Sequence, residues 1–153
     1  MRIGTGIFLF VEVLKGDSWV SVDNWEYDRY NQAWMVAKGT EYYRTQNYYL
    51  YNYLVNTEDW FKQTDYEPLD DTRGLPDDAS PEVLRCAESW KSDAHTHSWF
   101  LLEELLAVDW ESPKGTRNSE FGWHTPTKFL ETIERLKELG DPDKVRIIFW
   151  FYN

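Results

Sequence analysis

Seven residues, Asp93-Ala94-His95-Thr96-His97-Ser98-Trp99, gather two of the chain's three histidines, one carboxylate and two hydroxyls. Histidines two apart put both imidazoles on one side of an extended backbone, where they can grip a metal, a phosphate or a base edge. Asp93, His95 and His97 are the residue types of a metal site. A complete site needs further ligands from elsewhere, and His124 is the only other imidazole. Two other readings stand beside the metal: contact with a bound ligand, and capping of a helix start by hydrogen bonds. Neither Thr96 nor Ser98 makes a triad nucleophile, because a histidine adjacent in the chain rarely reaches its neighbour's hydroxyl in attack geometry. The chain has no zinc-finger spacing, phosphate loop, Rossmann glycine fingerprint or nucleophile elbow.

A second chemical candidate is Arg73, inside the turn-rich stretch Asp70-Asp71-Thr72-Arg73-Gly74-Leu75-Pro76-Asp77-Asp78. A guanidinium clamps phosphate or carboxylate bidentately, and Gly74 beside it allows close backbone approach. The competing expectation is a surface ion pair to Asp70, Asp71 or Asp77. The surrounding connection, residues 62 to 80, is long enough to be a binding loop or plain surface linkage.

These residues must be held by a frame, and the chain's 153 residues suffice for one domain, 1–153, with its own core. Residues 2 to 14 alternate as a strand, Lys15-Gly16-Asp17 turns, and Trp19 to Val22 returns, which predicts an N-terminal hairpin. Residues 23 to 40 read as loop with room for one short element, and Tyr48 to Val55 as a short helix. Ser80 and Pro81 start a helix that runs to about Trp90. Another begins near Ser98, with Leu102, Leu105 and Leu106 on its apolar stripe. The histidines then fall in the turn between two helices, beside a helix start whose free N–H groups favour anions. Thr125-Pro126 opens a further helix with Phe129, Ile133 and Leu136 buried, Glu131 and Arg135 paired outside, and Gly140 as its stop. Val145 to Tyr152 is apolar on both sides and belongs at the centre of a sheet. The expected fold is α+β: a small, mostly antiparallel sheet containing both terminal strands, packed with three to four helices.

Composition narrows the partners. A net charge of −11 opposes binding to a free nucleic acid, and an acidic protein can instead occupy a basic partner, even by imitating DNA. Cys86 is the single cysteine, so no internal disulfide forms and a reducing, cytoplasmic setting is expected. The N-terminal apolar run is too short for a membrane span. Aromatic residues make up 18% of the chain. They build a large core or line a surface that stacks a planar ligand or another copy of the chain.

The chain resembles a family of small phage and bacterial proteins through its Arg73-to-Asp78 loop, the Asp93-to-Trp99 segment, a helix ending at Asp109-Trp110 and a closing Val145-to-Asn153 strand. That family's pattern carries Asp and His in the first strand where this chain has Gly6 and Phe8, and an Asp near the end where it has Tyr152. The resemblance supplies no activity. Loss of those polar residues implies binding over catalysis, with Phe8 and Tyr152 suited to stacking. The expectation is a cytoplasmic, cofactor-free protein, of an infected host if phage-encoded, that sequesters a small nucleotide-derived ligand as an anti-defence sponge. Its ligand-binding residues are Arg73, Asp93, His95, His97, Ser98, Trp99, Phe8 and Tyr152. The alternatives are a metal-dependent hydrolase built on Asp93, His95 and His97, and an acidic inhibitor of a basic partner.

Overall fold

A computed structural model describes residues 6–55, 67–111 and 125–152. His124 lies outside them. The frame is a four-stranded antiparallel sheet in the order β2-β1-β6-β5. Strand β1 is Gly6–Lys15, β2 Ser18–Ser21, β5 Ala94–Leu101 and β6 Val145–Tyr152. β1 and β6 pair from Gly6 opposite Tyr152 to Val13 opposite Val145, so the two terminal strands form the sheet's centre. Both have near-continuous aromatic and β-branched runs because both of their faces are covered.

One face carries Ile7, Leu9, Val11, Ile147, Phe149 and Phe151. Helices α1 (Tyr48–Leu54), α3 (Leu102–Leu106) and α4 (Thr127–Leu136) cover it with Leu50, Leu102, Leu105, Phe129 and Ile133. The other face carries Phe8, Phe10, Ile148 and Trp150, and packs on helix α2 (Pro81–Trp90) through Val83 and Cys86. Each fully buried side chain of this size contributes about 1.5–3 kcal/mol by leaving water. The α+β class, the N-terminal hairpin and the central terminal strand therefore all follow from where the apolar residues fall. Ser80 caps α2 as expected, its Oγ accepting the Val83 N–H, with Pro81 in the first turn.

Three expectations fail. Residues 23 to 40 hold a second hairpin, β3 (Trp25–Asp28) with β4 (Ala33–Val36), rather than loop. Four-residue strands give too short a pattern to read, and this hairpin is held by Trp25, Met35 and Val36 packing on the second core; Trp25 stacks on Phe10 at 5.2 Å. The histidines are not in a turn between helices but inside β5, and the following helix begins at Leu102 instead of near Ser98. Pairing with β6 satisfies this segment's backbone along the ladder, and that tertiary contact overrides the helical spacing of the leucines. The expected surface pair of Glu131 and Arg135 is also replaced: Arg135 lies over the Tyr42 ring at 4.5 Å. No helix among the described residues is long and apolar enough to cross a membrane.

Candidate functional site

The histidine pair is split by a β-bulge. Its ladder runs normally to His95 opposite Phe151 and resumes at Ser98 opposite Phe149, so Thr96 and His97 share the single partner position at Trp150. Thr96 makes the step with φ of +61°. The extra residue reverses the alternation. His95 sits edge-on to Phe151 at 6.2 Å on one face, while His97 lies against Trp150 at 5.1 Å on the other. Two imidazoles expected side by side therefore face apart. Asp93 is exposed in the 3-10 turn before the strand. Asp93, His95 and His97 accordingly do not make a metal site, and no group of three His, Cys, Asp or Glu side chains among the described residues could hold one. Burial, reinforced by nearby His95, lowers the His97 pKa below the ordinary histidine value, so this ring is neutral at pH 7 and offers no charge to an anion.

Ser98 is fully buried in the strand, and its Oγ accepts the Arg73 N–H at 3.1 Å. It opens no helix, so the expected anion site of free helical N–H groups is absent there. Arg73 and Gly74 instead cover the free edge of β5: the Gly74 N–H donates to the His97 carbonyl at 2.9 Å, and Arg73 Nη1 to the Trp99 carbonyl at 3.0 Å. Gly74 is needed for its φ of +79°, not for close approach, since a Cβ there would meet nothing. The Arg73 guanidinium forks onto Glu104, Nη1 to Oε1 at 2.9 Å and Nη2 to Oε2 at 2.6 Å, and reaches Asp70 at 3.1 Å. The ion-pair expectation is right for Asp70, but the stronger partner is Glu104. Those Glu104 bonds are the largest cause raising the Arg73 pKa above its ordinary value, and the same bonds hold Glu104 below its own. With most of its donors engaged, Arg73 is a brace before it is a clamp.

Phe8 and Tyr152 also turn inward on each other. Their rings stack at 4.3 Å, Trp90 covers Phe8 at 4.7 Å, and the Tyr152 ring lies so close over Gly6 that any Cβ there would collide with it. Phe8 is only 8% exposed. This pair packs the end of the second core rather than presenting faces to a ligand.

What does converge is a groove of about 570 Å³ between β2, β5 and the 73–78 loop, lined by Trp19, Trp99, Arg73, Arg146, Leu75 and Asp78 among others. Arg73 lies over the Trp99 ring at 4.8 Å and Arg146 over the Trp19 ring at 4.1 Å, so each tryptophan is braced by a guanidinium. Behind the groove is an ion pair that the sequence reading missed. Glu12 and Arg146 face each other across β1 and β6, both buried, with Arg146 Nε to Glu12 Oε1 at 2.8 Å. Glu12 Oε2 also accepts the Ser80 N–H at 2.7 Å, and Asp78 Oδ1 accepts from Arg146 Nη1 at 2.9 Å. The loop is thus tied to the sheet through one buried charge pair. Its signal was legible: an acid within the apolar run of one strand and a base within that of another, the two strands being expected to share a sheet. A second groove of about 380 Å³ between α3 and α4 is mostly apolar and holds none of the expected site residues.

Compared with known proteins, the chain matches no family model, no curated protein and no solved structure.

Proposed function

We propose that this chain acts by binding rather than by catalysis, sequestering a small nucleotide-derived ligand in the groove between Trp19 and Trp99. The observation that carries the reading is the pairing of two partly exposed tryptophans, each held by an arginine, around one cleft of about 570 Å³. That volume is the size of a small-molecule site, and indole faces fixed in place stack a heterocycle with little loss of side-chain freedom. The hydrolase alternative loses its support with the separation of His95 from His97. The resemblance to small phage proteins supplies no activity, so sequestration of a host signal is part of this proposal and rests on the groove.

The ligand set moves accordingly from the histidines to Trp19, Trp99, Arg73 and Arg146. Calorimetric titration with nucleosides, 5′-monophosphates and cyclic dinucleotides tests it. Saturable binding is expected for at least one of these. Trp99→Ala and Trp19→Ala should each weaken it about tenfold or more, the scale of one lost base stack, while retaining the thermal unfolding transition. Absence of heat and of thermal shift across the whole panel refutes the reading, as does binding that survives both substitutions.

A further inference from the structure

We infer that Arg146 is an oxyanion site within this groove, and that Asp78 is the internal carboxylate a ligand's phosphate or carboxylate displaces from it. The inference rests on the groove reading for its location and goes beyond it in naming the ligand's anionic group. A guanidinium carries five N–H donors. Three hydrogen bonds are made here: Nε to Glu12 Oε1, Nη2 to the Asp78 carbonyl at 3.3 Å, and Nη1 to Asp78 Oδ1 at 2.9 Å, with Nη2 also in ion-pair contact with Glu12. The second Nη1 hydrogen is left over.

The two sides of the guanidinium differ. Glu12 is wholly buried and also takes the Ser80 N–H, so the Nε edge is permanently held. Asp78 is on the surface loop with its side chain 65% exposed, against 4% for Arg146. Rotation of the Asp78 side chain into water frees both Nη1 hydrogens toward the groove, while its backbone carbonyl keeps the loop attached at Nη2. Trp19 beneath the guanidinium fixes its plane at 4.1 Å. Glu12 neutralises the buried arginine, so its charge is stable in the core with or without Asp78, and an incoming oxyanion replaces one carboxylate by another. Asp77 and Asp143 also line the groove, and Arg73 there is committed to Glu104 and Asp70. These acids oppose a polyanion, which leaves a singly anchored phosphate or carboxylate as the fitting group.

The test uses the whole chain and three variants: Asp78→Ala, Asp78→Asn and Asp77→Asn. Thermal unfolding is followed with inorganic phosphate, with acetate and with sodium chloride at matched ionic strength, and calorimetry compares a nucleoside with its 5′-monophosphate. Asp78→Ala should gain a phosphate-dependent or acetate-dependent rise in melting temperature over the chloride control. Whichever anion acts identifies the source. Asp78→Asn should tighten the monophosphate about tenfold while leaving the nucleoside unchanged, one like charge having been removed at contact distance. Asp77→Asn serves as the field control because Asp77 does not bond Arg146. Equal effects of Asp77→Asn and Asp78→Asn, or no anion-specific shift in Asp78→Ala, overturn the inference even if nucleosides bind. Failure of every nucleoside, with the anion shift intact, instead overturns the stacking reading and leaves the oxyanion site standing.

Discussion

Asparagine in place of Asp23 should stabilise the protein at and above neutral pH. Asp23 follows the last residue pair of β2, where its Oδ2 accepts the Val11 N–H at 2.8 Å and its Oδ1 is buried without a hydrogen-bond partner. Burial is the main cause that raises its pKa to about 7; the Val11 hydrogen bond opposes the rise and the Glu12 charge adds to it. In the unfolded chain the group titrates at its ordinary value, 3.8. Between these two values the folded state binds the proton and the unfolded state does not, so stability falls as pH rises through that window and levels off above about 7. The full difference amounts to about 4 kcal/mol, at roughly 1.36 kcal/mol per pH unit. Asparagine keeps the oxygen that serves Val11 and removes the charge, at the expense of a side-chain N–H with no acceptor, about 1–3 kcal/mol.

That expense is independent of pH, so the change with pH is the measurement that isolates the carboxylate. Urea unfolding of both proteins, followed by tryptophan fluorescence at pH 5 to 8, should show the advantage of Asp23→Asn growing by about 2.5 kcal/mol across that range. His97 and Glu104 both have lowered pKa values, and each withdraws stability on acidification, the opposite sign. Both are present in the two proteins and cancel in the difference. A difference that stays constant from pH 5 to pH 8 refutes the assignment of a buried, charge-intolerant Asp23.

Arg146→Met should destabilise the chain by about 3–5 kcal/mol, because it removes the counter-charge of the buried Glu12 and leaves that carboxyl only the Ser80 N–H; adding Glu12→Gln should recover much of that loss in the same urea assay. Zinc should give no cooperative stabilisation that depends on both histidines. A zinc-induced rise in melting temperature abolished equally by His95→Ala and His97→Ala contradicts the bulge at Thr96.

The parts of this fold legible in the sequence are those where one local rule acts without competition. Ser80-Pro81 has a cap and a fixed φ, Lys15-Gly16-Asp17 has turn chemistry, and Val145 to Tyr152 has an apolar run too uniform for an edge strand. Ser98 to Leu106 is the opposite case. Its leucines have helical spacing throughout, yet the first residues join β6 because the ladder there offers hydrogen bonds and an aromatic face that local propensity cannot weigh. Among the candidate site residues, Arg73 and Trp99 reach the groove while Phe8, Tyr152, His95 and His97 are spent on packing. Residue type alone does not separate an aromatic that stacks on a ligand from one that stacks on its neighbour.

The sequence by itself determined the N-terminal hairpin, the apolar closing strand that shares its sheet and the capped α2, since burial pattern and capping chemistry are encoded within a few residues of each position. Only the tertiary structure decided what the chemical side chains do. One extra residue at Thr96 turned His95 and His97 to opposite faces, and the meeting of Glu12 with Arg146 across two strands put a buried positive charge in the wall of the groove that Arg73 and Trp99 also line. Register is a property of two strands together, and a one-residue shift in it reverses which face every following side chain meets.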